Sequence, residues 1–167
     1  ITGWGSTAVA PEGYLQIVRA LTKKYGTLLI LDEVGTGFSR TGTLFGMEHE
    51  QVTPDIVTFA KGISNGGAAI GAMVTRKDIG EEVHDKANLT STFGWTPIAC
   101  AASLKTLEIH KRDKVWEIAQ EHGEYIRKTL RDALKDHPYV GNITVKGMEI
   151  GLDLVEDKQT KRQHTDL

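Results

Sequence analysis

Apolar positions in the first part of the chain change period twice within a few residues. Tyr14, Val18, Leu21 and Tyr25 recur at helical spacing after Pro11, which suits a first helical turn, and Gly26 is a favoured stop, so a helix is expected from about Glu12 to Tyr25. Thr27 to Leu31 then runs apolar without alternation, the pattern of a short strand covered on both faces in a parallel sheet, and ends at Asp32-Glu33. Gly35 to Gly46 is rich in Gly, Thr and Ser and has no period, which predicts a long loop. After Pro54-Asp55 a second apolar run, Ile56 to Ala60, ends at Lys61 and a glycine-rich stretch from Gly62 to Gly67. A third run, Ile70 to Thr75, predicts another strand, and Arg76 to His84 a helix.

From Pro97 an alanine-rich helix is expected to about His110, and after Arg112-Asp113 a longer amphipathic one to about Asp136, with Val115, Ala119, Ile126, Leu130 and Ala133 as its apolar stripe. Met148, Ile150, Leu152 and Leu154 alternate with Glu149, Gly151 and Asp153, which predicts a half-buried strand paired with Ile143 to Lys146 across Gly147. The order of these elements defines an α/β protein without internal repeats, divided into residues 1–110 and 111–167.

Composition narrows the class. Of 167 residues, 40% are hydrophobic and 25% charged, a balance that argues against disorder and fibrous repeats. Twenty Lys and Arg against 22 Asp and Glu, interleaved, give a net charge of −2 and no footprint for nucleic acid or an anionic membrane. No apolar stretch approaches the roughly 20 residues of a membrane helix. The single cysteine, Cys100, rules out an intrachain disulfide framework and fits a reducing compartment, so a cytoplasmic location is expected. Ile1 is neither a start methionine nor the head of a signal peptide, and the charged stretch Lys161 to Leu167 has no closing element; an internal piece of a longer chain is expected.

Candidate chemistry sits at two strand ends. Asp32 and Lys61 each follow an apolar run, and open α/β sheets bind ligands beyond the carboxyl ends of their strands. Either residue alone would pass for a turn residue where a strand reaches solvent. Together, a lysine on a rigid strand beside Gly62 suits a nucleophilic amine, and a carboxylate on another strand suits a positively charged ring nitrogen. That is the pair required by pyridoxal phosphate, with which the residues are compatible. The six histidines show no close metal-ligand spacing, so no metal is expected, and His122 reads as a packed or partly exposed ring. Cys100 reads as a small buried apolar residue. Gly35 to Gly42 lacks both the dinucleotide fingerprint and the P-loop lysine.

Three ordered motifs carry a resemblance: Leu31-Asp32-Glu33-Val34-Gly35-Thr36-Gly37-Phe38-Ser39-Arg40-Thr41-Gly42, Pro54-Asp55-Ile56-Val57-Thr58-Phe59-Ala60-Lys61-Gly62, and Ser91-Thr92-Phe93-Gly94-Trp95-Thr96-Pro97. They resemble class III aminotransferases, over almost the whole chain. The resemblance implies a pyridoxal-phosphate transferase of fold type I, with residues 1–110 as the C-terminal half of the large cofactor-binding domain and 111–167 as the start of the small C-terminal domain. It implies that Lys61 links to the cofactor aldehyde and shuttles a proton, and that Asp32 keeps the ring nitrogen protonated. Val34 would lie on one ring face. Thr92 would bind the phosphate across a homodimer interface. Many family members carry glutamine at the place of Gly35, where it touches the cofactor's phenolic oxygen, and glycine at the place of Ser39. The implied reaction moves an amino group from an amine or ω-amino acid to a keto acid such as pyruvate or 2-oxoglutarate. An epimerase or aminomutase of the same family, or a structural piece inert by itself, stays open, and these residues alone are expected to be inactive.

Overall fold

The computed structural model describes residues 7–87, 91–92 and 94–164. Helix α1 spans Tyr14–Lys24. It starts after Gly13 rather than at Glu12, because Gly13 takes a φ of +78° and interrupts helical geometry. At its other end the N–H of Thr27 reaches back to the carbonyl of Thr22 at 2.9 Å, a closure that Gly26 permits at φ +63°.

Strand β1, Ile30–Asp32, runs parallel to β2, Ile56–Phe59, and β2 runs antiparallel to β3, Ala72–Thr75. β1 is shorter than its apolar run because Leu29 is committed elsewhere: its N–H donates to the Asp55 carboxylate at 2.8 Å, and its carbonyl accepts from Asp55 and Ile56. The expectation that this run is covered on both faces is corrected among the described residues. β1 is an edge strand there, and Ile30 is 58% exposed. The expected helical stripe likewise leaves Tyr14, Leu21 and Tyr25 exposed and Val18 half-buried.

Asp55 ties α1 to the sheet. It is 3% exposed, accepts from both guanidinium nitrogens of Arg19 at 2.5 and 3.0 Å, and pairs with Arg76 just past β3. The Arg19 hydrogen bonds, followed by the Leu29 N–H, hold its carboxyl far below the usual carboxylate range despite burial.

Beyond the sheet, α2 spans Lys77–Val83, α3 Pro97–Asp113 and α4 Val115–Leu134; Lys114, at φ +47°, forms the corner between the last two. The inward face of α3 is made of small residues, Ala99, Ser103 and Thr106, all buried. Cys100 is only partly buried and His122 is exposed. A cluster of Phe38, Val57, Phe59 and Ile63, with Phe45 and Leu107 against it, forms the core beside the first sheet.

The second sheet is antiparallel, in the order β4 (Val140–Lys146), β5 (Glu149–Asp157), β6 (Arg162–Gln163). The expected hairpin is present, with Lys146 opposite Glu149 and Val145 opposite Ile150. α4 covers β4, and Arg127 anchors it by donating to the Val145 carbonyl at 2.8 Å. β5 lies beyond that cover, so Ile150, Leu152 and Leu154 keep 39–42% of their surface exposed. The hairpin turn docks on the long loop: the Met148 N–H donates to the Arg40 carbonyl at 2.7 Å.

Candidate active site

The parallel register brings the two candidate charges to one edge. Asp32 is the last residue of β1 and stands opposite Thr58, and the following Glu33 N–H donates to the Thr58 carbonyl at 2.9 Å. Lys61 comes three residues after Thr58 on the neighbouring strand, so both residues leave the carboxyl ends of adjacent parallel strands. Both are exposed. Val34 stays with Asp32, whose Oδ1 accepts the Val34 N–H at 2.9 Å. Thr92 is an exposed turn residue before α3 and among the described residues makes no hydrogen bond to Asp32, Val34 or Lys61.

Lys61 opens a short 3-10 turn, Lys61–Ile63, with a φ of +45°. A lysine in left-handed geometry is strained and persists only where its surroundings over-determine it. They do so here through Gly62: a methyl group at that position would stand 2.8 Å from the Phe38 Cβ. Phe38 is itself at φ +57° and packs edge-on against Phe59 and Phe45.

Glu33 faces the other way from Asp32. Its carboxylate accepts the N–H groups of Gly46 at 2.9 Å and Met47 at 2.6 Å, together with the Thr36 hydroxyl, and so caps the 3-10 turn Gly46–Glu50. Turn residue His49 bonds through Nε2 to the Thr41 carbonyl at 3.0 Å; burial and the nearby Lys146 charge lower its pKa.

A cavity of about 680 Å³ opens between α1 and this loop, with Asp32, Glu33, Tyr14, Thr41, His49 and Lys146 among its walls. Of the four expected site residues only Asp32 lines it; Lys61, Val34 and Thr92 do not. Among the described residues no group of His, Cys, Asp and Glu is arranged to hold a metal. No helix among them is long and apolar enough to cross a membrane. The supporting residues Phe38, Ser39, Glu33 and His110 have no spacing signal in the sequence that marks them.

Comparison with known proteins gives the family. The family model described as aminotransferase class-III matches residues 1–166, and the chain belongs to that family. It is 40% identical over 166 residues to the uncharacterized aminotransferase YhxA of Bacillus subtilis, covering 96% of this chain and 36% of that protein. Among solved structures it matches an (S)-enantioselective omega-transaminase from Thermomicrobium roseum with a TM-score of 0.87 and 42% identity, over 98% of this chain and 37% of that one. It also matches a taurine:2-oxoglutarate aminotransferase from Bifidobacterium kashiwanohense, in complex with PLP and glutamate, with a TM-score of 0.91, 33% identity, and the same shares of the two chains. The chain therefore spans little more than a third of the length of these relatives. The mixed helix and strand architecture is that of the pyridoxal-phosphate transaminases.

Proposed function

We propose that these residues form part of a pyridoxal-phosphate-dependent aminotransferase that moves an amino group from an amine or ω-amino acid to a keto acid. One observation carries the reading: Asp32 and Lys61 leave the carboxyl ends of adjacent parallel strands, exposed and on the same sheet edge. A free amine and a carboxylate are the donor set that the cofactor needs, and Lys61 stands on a turn over-determined by Gly62 and Phe38. Bound there, pyridoxal phosphate supplies an electron sink for deprotonation of the substrate carbon.

Lys61 would hold the cofactor through its Nζ amine at the aldehyde and, once free, would serve as the group that moves a proton at the substrate carbon. Asp32 holds the proton on the ring nitrogen, as an anion beside a cation does. Val34 would lie against one face of the ring, and Thr92 would hold the phosphate across the interface of a homodimer. Residues 1–110 belong to the large domain and 111–167 open the small one, in a cytoplasmic enzyme. The ω-amine class is supported by the omega-transaminase and taurine aminotransferase among the matches.

The test is borohydride reduction of the full-length polypeptide carrying these residues, loaded with pyridoxal phosphate, followed by peptide mapping. A pyridoxyl group on Lys61 is expected, together with an aldehyde from taurine or a primary ω-amine and, in equal amount, alanine from pyruvate or glutamate from 2-oxoglutarate. An adduct confined to other lysines would refute the assignment.

A further inference from the structure

The proposed chemistry leaves one polar pair unused, a buried serine and a half-buried histidine. Ser39 is 2% exposed, and its hydroxyl shares a 2.6 Å hydrogen bond with Nδ1 of His110, which lies one helical turn beyond Thr106 on α3. The pair joins two elements 71 residues apart in sequence. Ser39 has a φ of +67° and follows Phe38 at +57°, so two successive side-chain-bearing residues are held left-handed. Such a pair needs outside support, and His110 gives it twice, by the bond to Ser39 and by an edge contact with the Phe38 ring at a centroid distance of 6.3 Å.

Phe38 transmits this support. Its Cβ and Cγ press against Gly62, where an added methyl would come within 2.8 and 3.3 Å of them, and Gly62 is bonded directly to the strained Lys61. α3 also packs directly on the Lys61–Ile63 turn. An unbroken path of short contacts thus runs from His110 through Ser39 and Phe38 to Gly62 and the backbone of Lys61.

We propose that Ser39 and His110 are positioning residues that set the orientation of the Lys61 amine. The proposal rests on the reading of Lys61 as the cofactor lysine. The Ser39 hydroxyl is what gives His110 a hold on this left-handed segment, a hold that a glycine there would lack. Loosening the clamp lets Phe38 relax toward ordinary backbone angles and moves Gly62, and with it Lys61. Displacements of an ångström or less at a reacting group cost up to about a hundredfold in rate.

The experiment uses the full-length polypeptide with His110→Leu, Ser39→Gly, the double variant, and His110→Asn, whose amide can occupy the place of Nδ1. Ser39→Gly suits the left-handed backbone and guards against a failure to fold. Two quantities are read: the pH midpoint of the visible absorbance of the bound cofactor, and the rate at which Lys61 in the cofactor-free protein is labelled by trinitrobenzenesulfonate, located by peptide mapping. His110→Leu and Ser39→Gly are each expected to shift the midpoint by about half a pH unit or more and to change Lys61 labelling at least about threefold. The double variant should do no more than either single one, and His110→Asn should restore most of the wild-type behaviour. A cofactor adduct on Lys61 with unchanged midpoint and labelling in both single variants overturns the clamp and leaves the proposed function standing. Changed labelling with no adduct on Lys61 supports the clamp and removes the proposed function.

Discussion

Asp32 and Glu33 are adjacent in sequence and opposite in environment: Asp32 is exposed at the end of β1, while Glu33 is 3% exposed and accepts two backbone N–H groups and a hydroxyl. The two carboxylates therefore fail differently. In Glu33→Gln an amide NH₂ must face an N–H of Gly46 or Met47, leaving buried donors unpaired at about 1–3 kcal/mol. Asp32→Asn retains an oxygen for the Val34 N–H and should change stability by less than about 0.5 kcal/mol, while depriving the ring nitrogen of its anion. Denaturant midpoints and transamination rates of the full-length variants separate the two effects. Greater destabilisation from Asp32→Asn than from Glu33→Gln would contradict this division.

Asp55 is the second carboxylate on which the fold depends. Asp55→Asn keeps an acceptor for the Leu29 N–H but leaves the Arg19 guanidinium, 14% exposed in its side chain, without its counter-charge. Breaking a buried pair in this way costs about 3–5 kcal/mol; Arg76, half exposed, adds little. Thermal unfolding should show a large fall, and Arg76→Ala a much smaller one.

These roles differ in how openly the chain announces them. Asp32 and Lys61 are legible because each ends an apolar run, and a strand end is where charge meets a ligand. Asp55 and Glu33 are not, since their partners, Arg19, Arg76, Gly46 and Met47, lie 13 to 36 residues away and no local period links them. The β4–β5 pairing is legible from alternation across Gly147. Exposure of Ile30 and Leu154 is not, because periodicity says which face is apolar and only tertiary neighbours decide whether it is covered. Ser39 and His110 meet only once α3 has packed on the loop.

Gly35 makes a functional prediction. Its backbone angle is ordinary and a Cβ there would meet nothing within 4 Å, so a longer side chain has room. Gly35→Gln should fold normally and, on the proposed function and the placement that the sequence resemblance implies, would offer its amide to the cofactor's phenolic oxygen. An added hydrogen bond of about 1 kcal/mol corresponds to roughly fivefold tighter cofactor binding, measurable by titrating the cofactor-free protein. Weaker binding in a normally folded variant would argue against this placement of the ring.

Two histidines shape the acid limb of stability. Partial desolvation lowers the pKa of His110 and, together with the nearby Lys146 charge, that of the more exposed His49 below 6.5, so the unfolded chain binds protons more readily than the folded one. Their contribution is full above about pH 6.5 and is lost as pH falls through the lowered values. Asp55 acts in the same direction further down: its contribution is present above 3.8 and disappears well below it. His49→Gln, which keeps a donor for the Thr41 carbonyl, should flatten the stability curve just below pH 6.5 and leave the lower limb unchanged. An unaltered slope in the upper range would count against titration of His49.

Two glycines stand between packed backbones where the hairpin turn meets α4 and the loop. An added Cβ on Gly123, in α4, would stand 2.3 Å from the Gly147 carbonyl oxygen, and one on Gly147 would stand 2.4 Å from the Thr41 carbonyl carbon and 2.5 Å from the Gly42 nitrogen. The obstacles are backbone, which cannot turn aside as a side chain does, so each glycine sets how near α4, the hairpin turn and the loop can come. Gly147 is also left-handed at φ +58°, and alanine there adds strain to the clash. Gly123 has no such handicap, which makes Gly123→Ala the clean probe of close packing: alanine is the better helix former, by about 1 kcal/mol, and would stabilise α4 if space were available. The clash should outweigh that gain and leave a net loss of about 1–3 kcal/mol. Because the Met148 N–H donates to Arg40 across the same contact, its exchange with solvent should accelerate in Gly123→Ala as the turn lifts from the loop. Denaturant unfolding together with hydrogen exchange at Met148 tests this, and a Gly123→Ala protein as stable as wild type, with Met148 still protected, would show that α4 can move aside without disturbing the loop that carries Phe38 and Ser39.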